Sequence, residues 1–249
     1  MNESVKQPVA TPAGRKRFWK HAEVVPAENG YAVQLDGRPI KLPERTPLCV
    51  PSRALAEALA AEWQEAGQQV GGLFRAEDLP LTGIAGSMLE RIPQQKAGVV
   101  ESLLAYAGTD LLCYRASAGS SLAQAQQEQW GKWLAWCAGA FGAQFAVSEG
   151  VMPIAQNAET LAKLRGVLEA ATPAELAALA VTIPALGSFV LGLAAVKADT
   201  TPEALAACAT LDEQAQMQRW GQDTEITDRI ATLTRDVADA MRFLALARQ

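Results

Sequence analysis

Gly30-Tyr31-Ala32-Val33-Gln34-Leu35-Asp36-Gly37-Arg38-Pro39-Ile40-Lys41-Leu42 is the stretch whose reading decides the fold. Tyr31, Val33 and Leu35 recur every second residue, the spacing of a half-buried strand, and Asp36-Gly37 is a two-residue hairpin turn before Ile40 and Leu42. Asn29-Gly30 marks the turn before it, so Glu23 to Val25 is expected to pair as another strand of a meander. Pro39 and Pro43 place the strand around Ile40 at an edge, or end it early, because proline has no N–H for a ladder.

The period changes after Pro51-Ser52. Leu55, Leu59, Glu62 and Ala66 fall near one helical face, with Gly67 as a stop. Helices are expected over 53–66, 81–91, 94–107, 122–142, 158–170, 173–181, 185–197, 202–219 and 223–247. Thr172-Pro173-Ala174-Glu175 and Thr200-Thr201-Pro202-Glu203 combine capping-box spacing with an early proline. No 20-to-50-residue repeat is visible, which disfavours a solenoid. The fold class is therefore α+β: a small N-terminal antiparallel β unit with helices, then a mostly helical C-terminal domain. The expected division is a flexible tail over 1–17, an α+β domain over 18–117 and a helical domain over 118–249, broken at Ser117-Ala118-Gly119-Ser120-Ser121.

Composition narrows the function. The 249 residues are 49% apolar and 20% charged, the profile of an ordinary folded protein. The longest apolar stretch, Ile183 to Val196, is too short and too interrupted to span a membrane. A net charge of −5 removes the basic footprint on which nucleic-acid binding rests. Residues 1–117 balance 13 acidic against 13 basic side chains, whereas 118–249 carry 14 against 9. Asp212 to Asp239 alone holds seven carboxylates and three arginines. Cys49, Cys113, Cys137 and Cys208 show neither metal-site nor disulfide-framework spacing and are expected to be reduced and mostly buried. Met1 to Arg17 lacks the apolar core of a secretory signal, so a cytoplasm-type compartment is expected.

No P-loop, dinucleotide fingerprint, HExxH or EF-hand motif is present, so no cofactor, metal site or catalytic residue is assigned. His21, the single histidine, has no triad partner in sequence and reads as structural or surface. Asp212/Glu213 and Asp223/Glu225 are the remaining candidates for acid–base work, yet neighbours on a helix point about 100° apart. A solvated acidic face is the better reading. A helix from Pro202 is expected to bury Leu205, Cys208 and Ala215 and present Asp212, Glu213 and Gln216. Trp130, Trp133 and Trp136 share one side of a helix, as core or as a protein-binding hot spot, with core favoured. Trp63 and Trp220 read as packing anchors, with Gly221 ending a helix.

An ordered set of strings carries a family resemblance: Leu35-Asp36-Gly37-Arg38-Pro39-Ile40-Lys41, Glu62-Trp63, Leu79-Pro80-Leu81-Thr82, Thr109-Asp110-Leu111-Leu112-Cys113-Tyr114-Arg115, Gly187-Ser188 and Gln218-Arg219-Trp220-Gly221-Gln222-Asp223. Between about Phe18 and Arg229 the chain resembles the ATP synthase assembly chaperones that act on the alpha subunit of the F1-ATPase. It departs from that family at Gly83, Gly86 and Gly131-Lys132, which bears on local helix geometry.

The resemblance implies a non-enzymatic protein that binds the unassembled F1 alpha subunit and shields its subunit interface until the hexamer forms. It implies an α+β domain followed by a helical one, and a bacterial cytoplasm, or a mitochondrial matrix if the source is eukaryotic. A monomer is expected. The resemblance also places partner binding on the acidic C-terminal helix region, here Asp212, Glu213, Gln216, Trp220, Gly221 and Asp223. Trp63, Asp36, Gly37, Asp110 and Arg115 take structural roles. Two other readings remain open at this stage: a cofactor-free hydrolase built on Asp212 or Glu213, and a generic helical adaptor.

Overall fold

The first element is β1 (Arg15–Lys16), which pairs antiparallel with β6 (Leu73–Phe74); a computed structural model describes residues 14–150 and 152–249. Positions 1–13 of the expected tail lie outside the described residues. The last residues of that tail differ from expectation. Arg17 is buried, and its guanidinium donates to the carbonyls of Trp19, Lys20, Gln64, Ala66 and Gln68. A buried cation is tolerated only when such acceptors surround it, and the local pattern Arg15-Lys16-Arg17 does not reveal them.

The meander is as expected. β2 (Ala22–Ala27) pairs antiparallel with β3 (Gly30–Leu35) in the register Ala22↔Leu35, and β3 carries β4 (Arg38–Pro39) and β5 (Cys49–Val50) on its other side. Asp36 and Gly37 both take positive φ, 47° and 75°, as the twist-matched two-residue hairpin requires. The Asp36 carboxylate also accepts the N–H groups of His21 at 2.9 Å and Lys20 at 3.0 Å, and these amides hold its carboxyl below the usual range. β4 stops after two residues, at Pro39.

Ten α-helices follow among the described residues. α1 (Arg53–Glu65) starts at Ser52, whose hydroxyl accepts from Leu55 N–H and donates to the Leu246 carbonyl near the other end of the chain. α2 (Pro80–Gly86) passes through a π-helical turn, Ser87–Arg91, into α3 (Ile92–Gly108). Sequence puts a break near Pro93; the helix instead widens before the proline and kinks at Gln95, which absorbs the missing N–H without ending the element. α4 (Ser121–Phe141), α5 (Ala158–Ala170), α6 (Pro173–Leu186) and α7 (Phe189–Lys197) build the helical core, followed by α8 (Pro202–Ala209), α9 (Leu211–Trp220) and α10 (Thr224–Ala247).

Two further boundaries move. α6 runs through Pro184 and stops at Gly187, where φ is +61°. Its packed face (Leu179, Thr182, Ile183 and Leu186 are all buried) outweighs the one hydrogen bond lost at the proline. Gly192 then lets α7 lie against α6: a Cβ there would sit 2.3 Å from Ile183 Cγ1. The helix expected over 202–219 is two helices, broken at Thr210, whose hydroxyl donates back to the Ala206 carbonyl at 2.8 Å. That back-bond competes with the ladder. Leu205 and Cys208 are buried as expected, but beyond the break Ala215 is only half-buried.

Two polar networks explain why distant strings of sequence belong together. Glu62 on α1 accepts from Leu81 N–H, Thr82 N–H and the Thr82 hydroxyl at 2.6–2.9 Å, capping α2 from a neighbouring helix. Thr82 Oγ1 accepts in turn from Trp63 Nε1 at 3.0 Å, and the Trp63 ring packs edge-on against Trp19 and Phe74. Trp63 is half-buried. Burial pushes the Glu62 carboxyl up against the pull of these donors.

The second network is deeper. Asp110, fully buried, accepts from Leu112 N–H, Val190 N–H and the Ser188 hydroxyl at 2.9–3.0 Å, so one carboxylate caps both its own turn and the N-terminus of α7. Burial pushes its carboxyl up to about 6 even so. Arg115 is also buried, with its guanidinium 5.1 Å from the centroid of the Trp130 ring, and burial lowers its pKa.

α10 closes the structure by packing on α1, α2, α6, α7 and α8. At its end Arg248 and Lys197 both donate to Glu175 Oε1, at 2.9 and 2.6 Å. Cys113, Cys137 and Cys208 are buried free thiols and Cys49 is half-buried; burial pushes Cys113 and Cys137 up to about 12. His21 is exposed.

Candidate functional site

Helix α9 is the least buried helix in its part of the chain for a reason visible in its sequence. Leu211-Asp212-Glu213-Gln214-Ala215-Gln216-Met217-Gln218-Arg219-Trp220 has no apolar stripe, and Leu211 is its single buried residue. A helix without such a stripe cannot be held by core packing. It is held by polar bonds at its start.

Asp212 and Glu213 diverge, as adjacent helical positions must. Asp212 Oδ1 accepts from Gln126 Nε2 on α4 at 2.7 Å, while Glu213 Oε1 accepts from Arg229 Nη2 on α10 at 2.7 Å. Gln126 is buried, and its Oε1 accepts from Ala116 N–H at 2.7 Å. The backbone donor fixes which end of that amide faces Asp212. Sequence reading missed Gln126; a glutamine inside a polar helical run carries no mark of burial.

Gln216 lies exposed on the outer side of α9. Trp220 ends the helix 82% exposed, the most exposed large apolar side chain among the described residues. This corrects its reading as a packing anchor: the ring falls where the helix has left its neighbours. Gly221 does end the helix, with φ +100°. Asp223 caps α10, its Oδ1 accepting from Glu225 N–H at 2.9 Å. Trp220, Gly221 and Asp223 thus form one sharp corner between two helices, with Asp212 and Glu213 about two turns earlier on α9.

The three tryptophans of α4 do not share a face. Trp130 is fully buried and donates from Nε1 to the Cys208 carbonyl at 2.8 Å. Trp133 and Trp136 are half-buried and stack edge-on with each other, and Trp136 does the same with Phe141. Three-residue steps fall short of a 3.6-residue turn by about 60° each, so the row drifts from the core toward the surface.

The face carrying Asp212, Glu213 and Trp220 lines neither of the two clefts described, of about 810 and 860 Å³. Among the described residues no group of three or more His, Cys, Asp or Glu is placed to hold a metal ion, and no helix is long and apolar enough to cross a membrane.

A family model described as ATP12 chaperone protein matches residues 16–138. The mitochondrial protein atp12 of Schizosaccharomyces pombe is 26% identical over 225 residues, which is 86% of this chain and 76% of the relative. The crystal structure of Atp12 from Paracoccus denitrificans is 36% identical with a TM-score of 0.84, covering 94% of this chain and 98% of that one. The structure of a chaperone-type protein from Agrobacterium tumefaciens is 32% identical, also with a TM-score of 0.84, over 97% and 92% of the two chains.

Proposed function

The chain belongs to the ATP12 chaperone family and is an assembly chaperone of the F1-ATPase; on that premise we propose that it holds the unassembled alpha subunit through α9 and the Trp220–Asp223 corner. The observation that carries this reading is Trp220, an 82% exposed indole on a helix whose other outward side chains are polar or charged. An orphan subunit presents an apolar surface rimmed by charge. An aromatic anchor flanked by carboxylates matches it, since the ring supplies contact area and rim charges steer encounter without making the complex permanent.

The same geometry favours binding over hydrolysis. Asp212 and Glu213 point apart, each already engaged by another helix, and stand on an open face. We read the protein as acting without catalysis, in a reducing compartment such as a bacterial cytoplasm or mitochondrial matrix, where free thiols persist. The division into units over 18–117 and 118–249 remains part of this proposal.

The test is capture of purified alpha subunit by the full chain. Glu213→Lys is expected to abolish capture while shifting the melting temperature by less than about 2 °C, because the Arg229 pair it breaks is partly exposed and worth about 0–1 kcal/mol. Undiminished capture by a folded Glu213→Lys protein refutes the site. Recovery of a different stable partner from native lysate supports an adaptor instead.

A further inference from the structure

Helix α9 starts from a junction that α4 holds with one face. Gln126 and Trp130 stand four residues apart on α4 and so lie one above the other on the same side. Both are buried, and both reach the α8–α9 junction: Trp130 Nε1 donates to the Cys208 carbonyl at 2.8 Å, and Gln126 Nε2 to Asp212 Oδ1 at 2.7 Å. The first bond fixes where the junction lies. The second lands beyond the break at Thr210, on the first turn of α9 itself.

That second bond has little to compete with. Among the described residues α4 is the one helix with which α9 makes appreciable contact, and Leu211 is the only buried side chain of α9. At the far end Gly221, with φ +100°, lets the chain turn away into α10. Two side-chain bonds tie α9 to its neighbours, Gln126 to Asp212 from α4 and Arg229 to Glu213 from α10. Adjacent helical positions project about 100° apart, so one such tie leaves a helix able to roll about its axis and two fix its roll. The effect reaches Trp220. Seven residues beyond Glu213, the indole projects within about 20° of the Glu213 direction and about 10 Å further along the axis.

The two ties are unequal. Arg229 and Glu213 are both partly exposed, so water and salt weaken their pair. Gln126 is 1% exposed, and because its Oε1 accepts from Ala116 N–H at 2.7 Å its amide cannot turn away from Asp212. We propose that Gln126 is a positioning residue: buried and touching no partner itself, it sets the roll of α9 and so the direction in which the Trp220 corner meets the F1 alpha subunit. The proposal rests on the α9 reading and deepens it.

The test exchanges the two ends of the bond. Gln126→Glu keeps an acceptor for Ala116 N–H but sets a carboxylate against Asp212, whereas Asp212→Asn alone keeps an acceptor for Gln126. The pair Gln126→Glu/Asp212→Asn rebuilds the bond with donor and acceptor reversed. Amide exchange of the full chain over 214–221 is expected to be about 10-fold faster or more in Gln126→Glu, and within about 3-fold of the unaltered protein in Asp212→Asn and in the pair. Capture of purified alpha subunit should fall by about 10-fold or more in Gln126→Glu and return in the pair to the level of Asp212→Asn. A general loss of stability would instead quicken exchange in α6 and α7, and the second substitution would not repair it.

Unchanged exchange over 214–221 in Gln126→Glu overturns the proposal, as does faster exchange that the pair fails to repair. Faster exchange with undiminished capture also overturns it, and Glu213→Lys then separates the two readings. If that variant still loses capture, α9 is the grip and its roll is immaterial. If it captures alpha normally, the α9 reading has fallen and the positioning role falls with it.

Discussion

The Asp110–Ser188 junction and the α9–α10 corner are built from the same kinds of residue and put them to opposite use. At the junction a carboxylate is fully buried, meets backbone and hydroxyl donors from two segments, and joins the turn after α3 to the start of α7. On the α9 side of the corner Asp212 and Glu213 are half-buried, each held by one side chain, about two turns from an indole open to solvent. Removing a group from the first should cost folding; removing one from the second should cost binding. A motif of acidic and aromatic residues therefore says nothing about role until burial is known.

That contrast breaks most visibly with Asp110→Ala. It strands buried N–H and O–H donors, at about 1–3 kcal/mol for each group left unsatisfied, and is expected to lower the melting temperature by about 10 °C or more. A shift under about 3 °C would mean that the junction does not organise the fold.

The pH dependence sharpens the comparison. With the Asp110 carboxyl raised from 3.8 to about 6, the folded state keeps a proton between those values that the unfolded chain has lost. This group's contribution is therefore greatest below about pH 4 and falls as the pH rises through 6. The change is up to about 3 kcal/mol at about 1.4 kcal/mol per pH unit. Asp110→Asn should flatten that slope in urea titrations between pH 4 and 7. Glu175 has the opposite sign. Burial alone would raise its carboxyl, but the Lys197 ammonium, the Thr172 amide and Arg248 hold it at about 2. Its contribution is complete above about pH 4.5 and is lost as the pH falls toward 2, a loss Glu175→Gln should remove.

Trp63→Ala comes next, at about 2–3 kcal/mol: the half-buried ring leaves Trp19 and Phe74, and the Thr82 hydroxyl loses its indole donor. Trp220→Ala should show the smallest effect on folding, under about 1 °C by calorimetry, and a clear loss of alpha-subunit capture. If it melted like Trp63→Ala, the corner would belong to the scaffold.

Much of this was legible in the chain. Alternation at Tyr31, Val33 and Leu35 and the Asp36-Gly37 turn require only neighbours in sequence, and the hairpin they specify is present with both turn residues at positive φ. The two capping sites are equally local: Thr172 and Glu175 exchange bonds at the start of α6, and Thr201 caps α8. The ordered strings that carry the family resemblance were legible as a set but not as a mechanism. Glu62-Trp63 matters because it meets Leu81-Thr82, and Asp110 because it meets Ser188, contacts that span about 20 and 80 residues.

The remainder was not legible because it depends on what lies across from a residue. Arg17 looks like part of a polar tail and is a buried fivefold donor. Pro184 looks like a stop and is carried through by packing, while Thr210 looks neutral and breaks a helix. Trp63 and Trp220 have the same chemistry and opposite surroundings.

The sequence by itself determined the β2–β3 hairpin, the helical character of the rest and the acidic bias of the C-terminal half, which follow from short-range periodicity and composition, and its ordered motifs carried the family resemblance. Only the tertiary structure decided which carboxylates are buried joints and which stay near the surface. Burial, desolvation and the meeting of distant segments are properties of three-dimensional packing, and no short stretch of chain encodes them.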